Sequence, residues 1–273
     1  MKIGNREFQT SERTYIMGIL NVTPDSFSDG GKFLSMDDAL FHAQEMIREG
    51  ADLIDVGGES TRPGYTMISD EEEIGRVAPV LEKLKENFDI PLSVDTYKSA
   101  VAEAAVQAGA DLINDIWGLK YDERIADVIA KYELPCCLMH NRKDAVYYHY
   151  MKDLLNDLKE TVAIAYRHGI RREQIILDPG VGFGNTYENN LEVLHKLEQV
   201  TDLGFPVLLG TSRKSVIGLT LDLTSEERLE GTIATSVLGV MKGCSFLRVH
   251  DVKANRRAVL MTESILREKR IES

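Results

Sequence analysis

Short apolar, β-branched runs alternate with amphipathic helical segments along the whole chain. The runs are Tyr15–Leu20, Leu53–Val56, Leu92–Val94, Asp111–Ile113, Cys136–Met139, Ile175–Leu177, Val207–Leu209 and Phe246–Val249. They are continuously apolar rather than alternating, the pattern of parallel strands covered on both faces. Between them helix starts are legible. Ser69 followed by Glu72 is a capping-box pattern, and Ile74, Val77, Leu81 and Leu84 then trace one apolar stripe. Ser35 precedes a second helical segment, Met36–Gly50, with Leu40, Ala43 and Ile47 inward and Gly50 at the C′ position that ends it. Thr224 with Glu227 opens another. Segments after Tyr97, Tyr121, Tyr148 and Thr186, and the tail from Val252, complete the series.

Eight strands, each followed by a helix, over about 250 residues predict an α/β fold of the (β/α)8 TIM-barrel type. The 273 residues suffice for one such barrel with a full core. An open doubly wound sheet uses the same local units, but no Gly-x-Gly-x-x-Gly follows the first run. No Pro/Gly/Ser-rich linker interrupts the pattern, so residues 1–273 are expected to form one domain. The first dozen residues are expected to form a short hairpin or flap closing the barrel floor.

Composition narrows the partners. With 43% hydrophobic and 28% charged residues, the chain reads as an ordinary globular protein. A net charge of −12 and the lack of any dense Lys/Arg block argue against nucleic acid, while small anionic substrates need only a few local cations. Residues 1–14 are polar and mixed in charge, unlike a signal peptide, and no stretch reaches the roughly 18 apolar residues of a membrane span. Cys136, Cys137 and Cys244 have no metal-ligand spacing and are expected to be buried free thiols of a cytoplasmic protein.

Polar residues gather where the runs end. The first run leads into Asn21–Gly31, the second into Gly57–Gly64 with Thr61, Arg62 and Pro63, and the third stops at Asp95–Thr96. The next end at Asn114–Asp115, Met139–His140, Asp178–Gly184, Ser212–Ser215 and Arg248–Asp251. In a barrel all eight ends converge on one face, from which catalytic groups are drawn. Taken singly, Asp95, Asn114 or Asp178 could cap the following helix, and Arg213 or Lys214 could be a solvated charge. Capping alone requires neither three cations nor several carboxylates on one mouth. Carboxylates and amides such as Asp95, Asn114 and Asp178 suit the N–H-rich edge of a flat heterocycle. Lys214, Arg248 and His250 suit an anion such as phosphate. Asn21 is a reasonable Mg²⁺ ligand beside that anion, and Phe27, Pro63 and Phe183 offer apolar walls for a ring.

The segments Gly18–Asp29, Asp55–Pro63, Ser93–Thr96, Asn114–Gly118, Asp178–Gly184, Ser212–Ser215 and Arg248–His250, in that order, resemble the dihydropteroate synthase family of pterin-binding barrels. The resemblance covers nearly the whole chain. It implies condensation of 6-hydroxymethyl-7,8-dihydropterin diphosphate with 4-aminobenzoate, giving 7,8-dihydropteroate and diphosphate. It further implies a pterin held by Asp95, Asn114 and Asp178, with Lys214 on the ring's other side and Ile116, Met139 and Phe183 lining the slot. Arg248 and His250, helped by Thr61 and by Asn21 with Mg²⁺, would take the diphosphate. Phe27, Thr61, Arg62, Pro63, Phe183 and Ser215 would face the aminobenzoate. Asp25 and Asp29 would offset positive charge developing on the pterin, and the last helices would form a homodimer. The chain departs from the family pattern at Asn185, where Lys is usual, and in Asn141–Ala145, which lacks the more typical Gly/Pro character. Two rival readings are a methyltetrahydrofolate–corrinoid methyltransferase, for which the cations at 212–215 and 248–250 lack a purpose, and an inert pterin-binding barrel, which has no need of polar groups at every strand end.

Overall fold

The computed structural model describes residues 1–23, 36–60 and 67–271. A two-residue antiparallel hairpin, β1 (Lys2–Ile3) and β2 (Arg6–Glu7), precedes eight parallel strands. These are β3 (Tyr15–Asn21), β4 (Leu53–Gly57), β5 (Leu92–Asp95), β6 (Leu112–Asp115), β7 (Cys136–Met139), β8 (Ile175–Asp178), β9 (Leu208–Leu209) and β10 (Phe246–Val249). They are ordered β8-β7-β6-β5-β4-β3-β10-β9, and a parallel bridge between Leu177 and Val207 joins the two ends of the sheet into a barrel. The outer ring comprises α1 (Met36–Glu49), α2 (Asp70–Asn87), α3 (Ser99–Gln107), α4 (Arg124–Lys131), α5 (Tyr150–Arg167) and α6 (Tyr187–His195). It continues with the single turn α7 (Glu198–Thr201), then α8 (Ser215–Leu221), α9 (Leu229–Met241) and α10 (Val252–Leu266). The expected TIM barrel is therefore the fold, and every expected strand is present. No helix among the described residues is long and apolar enough to cross a membrane.

Alternation along each strand divides the apolar residues into two cores. Ile16, Ile54, Val94, Ile113, Cys136, Leu177 and Leu247 point outward and pack with Ala43, Val77, Val101, Ile129, Leu158 and Val193 of the helices. Tyr15, Met17, Leu53, Leu112, Cys137, Ile176, Leu208 and Phe246 form a separate buried cluster in the lower barrel. Ile3 and Phe8 of the hairpin complete that cluster from below, as expected for a floor. The Phe8 ring stands edge-on to Tyr15 at 4.7 Å and lies 5.9 Å from Phe246. All three cysteines are buried and free.

Helix starts follow the local code with two adjustments. Ser69 Oγ accepts the Glu72 N–H at 3.2 Å, but the Glu72 carboxylate turns outward to Arg76 rather than back to the cap. The box at Thr224 and Glu227 closes a 3₁₀ turn over Ser225–Glu227, and α9 begins only at Leu229. The Arg228 guanidinium, donating to the carbonyls of Leu223 and Arg213, holds that break. Ser35, the expected cap of α1, lies outside the described residues.

Because Phe8 fills the barrel floor far from the strand ends that carry the polar groups, Phe8→Ala is expected to cost about 3–5 kcal/mol of stability by urea unfolding. Ligand affinities at the opposite end should stay at the wild-type value. A loss below about 1 kcal/mol would show that the hairpin is not part of the core.

Candidate active site

Above the apolar floor, the inward positions of the same strands turn polar. Leu53 is followed two residues on by Asp55, Leu112 by Asn114, Ile176 by Asp178 and Phe246 by Arg248. Asp95 closes β5, and its residue pairs in register with Gly57 and Asn114. Gly210, next to β9, contributes no side chain, and a Cβ there would stand 3.9 Å from Asp178, Lys214 and Arg248 alike. Space for a ligand is thus kept open by a missing side chain, between groups of opposite charge.

Arg248 organises this layer. Its Nε donates to Asp55 Oδ2 at 2.6 Å and its Nη2 to Asp95 Oδ2 at 2.7 Å. Asn114 Nδ2 donates to the same Asp55 oxygen at 3.0 Å. The second oxygens, Asp55 Oδ1 and Asp95 Oδ1, are buried and have no hydrogen-bond partner among the described residues. Buried acceptors normally find a donor, so two bare carboxylate oxygens in a mouth invite one from a ligand. Asp178 directs Oδ1 to the Gly180 N–H at 2.7 Å, which stiffens the turn after β8. Capping of the helices falls to other residues. Asp122 accepts from Ser99 at the start of α3, while Asp115 accepts from Trp117 and Leu119 within the turn after β6.

Of the adjacent cations after β9, Arg213 and Lys214, only one faces inward. Arg213 turns away and forms a fork with Asp251, at 3.1 and 2.8 Å. The Lys214 ammonium donates to the Val181 carbonyl and lies 4.5 Å from the centre of the Phe183 ring. Phe183 in turn packs with Tyr97, Ile116, Trp117 and Met139, a small apolar cluster separate from both cores. His250 is held by Ser212: the His250 N–H donates to Ser212 Oγ at 3.1 Å, and Oγ lies 2.9 Å from Nδ1. Which of Oγ and Nδ1 donates follows the tautomer of the ring, since a hydroxyl that accepts the backbone N–H can still either donate to Nδ1 or accept from it.

Burial in this confined layer moves the ionisation of its members. Desolvation raises Asp95 to about 7; Arg248 opposes the shift and Asp55 reinforces it. Asp178 is raised by burial, against the pull of Lys214. Desolvation lowers Lys214 to about 8, despite attraction by Asp178. Burial also works against charge on Arg248, but Asp55 and Asp95 outweigh it and keep the guanidinium charged.

The structure brings together Asp95, Asn114, Asp178, Lys214 and Arg248, and gathers Ile116, Met139 and Phe183 into one wall. Asn21, the last residue of β3, also reaches this end, its Oδ1 3.4 Å from where a Gly57 Cβ would stand. Ser215 is exposed at the start of α8. Asp25, Phe27, Asp29, Thr61, Arg62 and Pro63 lie outside the described residues. The sequence pattern pointed to no role for Asp55, although it is fully buried and binds both Arg248 and Asn114. Its signal was a carboxylate inside an apolar run, two residues after the inward Leu53. His140, also at a strand end, is committed elsewhere: its Nε2 pairs with Asp157 at 3.0 Å on the helix side.

The chain is similar over nearly its whole length to known pterin-binding proteins. The family of pterin binding enzymes matches residues 17–250. Dihydropteroate synthase of Clostridium beijerinckii is 63% identical over 98% of this chain and 100% of its own length. A crystal structure of the Clostridium difficile dihydropteroate synthase in the presence of pteroic acid superposes with a TM-score of 0.93 at 52% identity, covering 96% of this chain and 100% of the other. That of the Xanthomonas albilineans enzyme with 4-aminobenzoic acid gives 0.89 at 42% identity, with 93% and 94% covered. The chain belongs to the pterin-binding enzyme family and, within it, to the dihydropteroate synthases.

Proposed function

We propose that this barrel mouth condenses 6-hydroxymethyl-7,8-dihydropterin diphosphate with 4-aminobenzoate, releasing diphosphate and 7,8-dihydropteroate. The chain is a transferase of folate synthesis. The observation that carries the assignment of roles is the layer of Asp55, Asp95, Asn114 and Asp178 facing Lys214 and Arg248, with two buried carboxylate oxygens lacking donors. A pterin edge presents several N–H groups in one plane and so complements acceptors held on neighbouring strands. Related enzymes crystallised with pteroic acid and with 4-aminobenzoic acid support the two halves of the substrate pair.

In this reading Asp95, Asn114 and Asp178 grip the pterin edge, and Ile116, Met139 and Phe183 sandwich the ring. Lys214, beside the Phe183 ring, faces the pterin from the other side. The arylamine is neutral near pH 7 and needs no strong base. The barrier lies in breaking the C–O bond to diphosphate, so charge must be stabilised on the leaving group. That role falls to Arg248 and His250, with Thr61. Asp25 and Asp29 offset the positive charge left on the pterin. Phe27, Thr61, Arg62, Pro63 and Ser215 serve the aminobenzoate.

Mg²⁺ fits as the partner of the diphosphate. Among the described residues no cluster of three or more acidic, His or Cys side chains forms a ready-made metal cage. A single amide oxygen, Asn21 Oδ1 at the end of β3, suits an ion that draws its other ligands from phosphate and water. Bound there, the ion would supply positive charge to the departing diphosphate. Six exposed apolar residues on the last helices, Leu219, Leu221, Met241, Met261, Ile265 and Leu266, support a homodimer formed through that face. A cytoplasmic location accords with the free thiols.

Purified protein with Mg²⁺, the pterin diphosphate and 4-aminobenzoate is expected to release diphosphate in step with dihydropteroate. Arg248→Lys keeps the charge that holds Asp55 and Asp95 but loses the planar fork that spans them. It is expected to lower turnover about a hundredfold, and near-normal turnover would remove Arg248 from the reaction. An acceptor carboxylate is ionised above its pKa of about 7, and an ammonium is charged below its pKa of about 8. The rate at limiting pterin diphosphate should therefore peak between these values. Asp95→Asn should abolish the acid limb and Lys214→Arg should carry the alkaline limb upward; profiles identical to wild type would contradict these assignments.

A further inference from the structure

The loop after β7 and the turn after β8 are joined by contacts that the transfer reaction does not itself use. The turn Asp178–Asn185 takes positive φ at Gly180 (+72°), Gly182 (+86°) and Gly184 (+55°). A Cβ on Gly180 would come 1.9 Å from the His140 carbonyl oxygen, and one on Gly184 would come 2.3 Å from that of Arg142. The turn thus presses its backbone directly on the β7 loop. From that loop Tyr147 reaches across, its single hydroxyl proton shared between the Gly184 carbonyl at 2.8 Å and Asn185 Oδ1 at 3.0 Å. Asn185 closes the turn on itself, Nδ2 donating to the Gly180 carbonyl at 2.9 Å, where the Phe183 N–H also arrives at 3.0 Å.

Tyr147 is itself braced. The Arg142 guanidinium lies 4.5 Å from its ring centre, and Tyr150 meets the ring edge-on at 4.9 Å. Arg142 is fixed by a fork on Asp157, with Nε at 2.6 Å and Nη2 at 3.1 Å, and Asp157 also holds the buried His140. Burial pushes the Tyr147 phenol up to about 12, so its hydroxyl remains a donor at any working pH. On the other side of the turn, Lys214 binds the Val181 carbonyl and the Phe183 ring. Two residues from different loops therefore fix the one turn that carries an aromatic wall of the mouth.

We propose that Tyr147 and Asn185 are positioning residues that act as one clamp on the 180–185 turn, setting the place of the Phe183 ring and hence the binding of the substrates that pack against it. The proposal rests on the transfer reaction proposed above for its kinetic consequence, but not for its structural one.

The test uses Tyr147→Phe, Asn185→Ala and the double variant, each also in a Phe183→Ala background. Two readouts apply. The first is KM for each substrate against kcat. The second, free of any assumption about activity, is acrylamide quenching of Trp117, the only tryptophan of the chain, which packs in the Phe183 cluster. Loss of one such hydrogen bond should raise KM for at least one substrate about three- to tenfold, with kcat changed less than KM. Trp117 should become more readily quenched. The double variant should resemble a single one, and neither substitution should add to Phe183→Ala. Strictly additive effects, effects that persist without Phe183, or unchanged KM and quenching would each overturn the clamp. Should wild-type protein show no diphosphate release, the reaction assignment fails while the quenching series still decides the clamp.

Discussion

The mouth depends on Arg248 lying between Asp55 and Asp95. Three carboxylates inside a barrel would neutralise themselves if left alone, because desolvation penalises each charge and each raises the pKa of its neighbours. A guanidinium meets this constraint better than an ammonium, since its planar fork donates to two carboxylates at once and does not lose its proton. Removing one partner of such a buried group typically costs about 3–5 kcal/mol, because the other charge is left uncompensated. The arrangement stops short of full satisfaction. Asp55 and Asp95 each keep one bare oxygen, and Asp95 stays near the balance point of its ionisation. A scaffold has no use for that condition, whereas a binding site does, because the ligand supplies the missing donors.

That polar layer is possible because the layer beneath it is dry. Met17, Leu53, Leu112, Ile176 and Phe246 fill the lower barrel, and the hairpin residues Ile3 and Phe8 close it. Packing thus fixes the strands from which the charged groups project, and two residues along each strand separate stability from chemistry. The catalytic end is then shaped by what the strand-end turns add: the Ser212–His250 pair, the inward Lys214 and the Phe183 turn.

Much of this was legible in the sequence. The runs identified the strands because outward residues pack against helices, and inward residues of the lower barrel pack against one another, so both faces are apolar. The runs stopped early where function begins. Pairing continues through Asn21, Asp95, Asp115 and Asp178, polar residues that end β3, β5, β6 and β8. Asp55 was missed for the opposite reason, being flanked by apolar neighbours within its strand. The partners of Arg248 lie 193 and 153 residues away, a pairing created by barrel closure that no local pattern encodes. The sequence resemblance supplied the pterin and diphosphate groups by position. It did not reveal that Arg213, at a positive φ, turns to Asp251 while Lys214 turns to the Val181 carbonyl.

The central claim is that the buried carboxylates are acceptors for the pterin edge, and titration calorimetry with a free pterin tests it without requiring turnover. Wild-type protein should bind, and Asp178→Asn, which exchanges one acceptor oxygen for a donor at nearly constant shape, should bind at least about tenfold more weakly with an undiminished unfolding midpoint. Equal affinity in the folded variant would mean that Asp178 does not face the ligand, and that the pterin edge is held by groups other than this carboxylate layer.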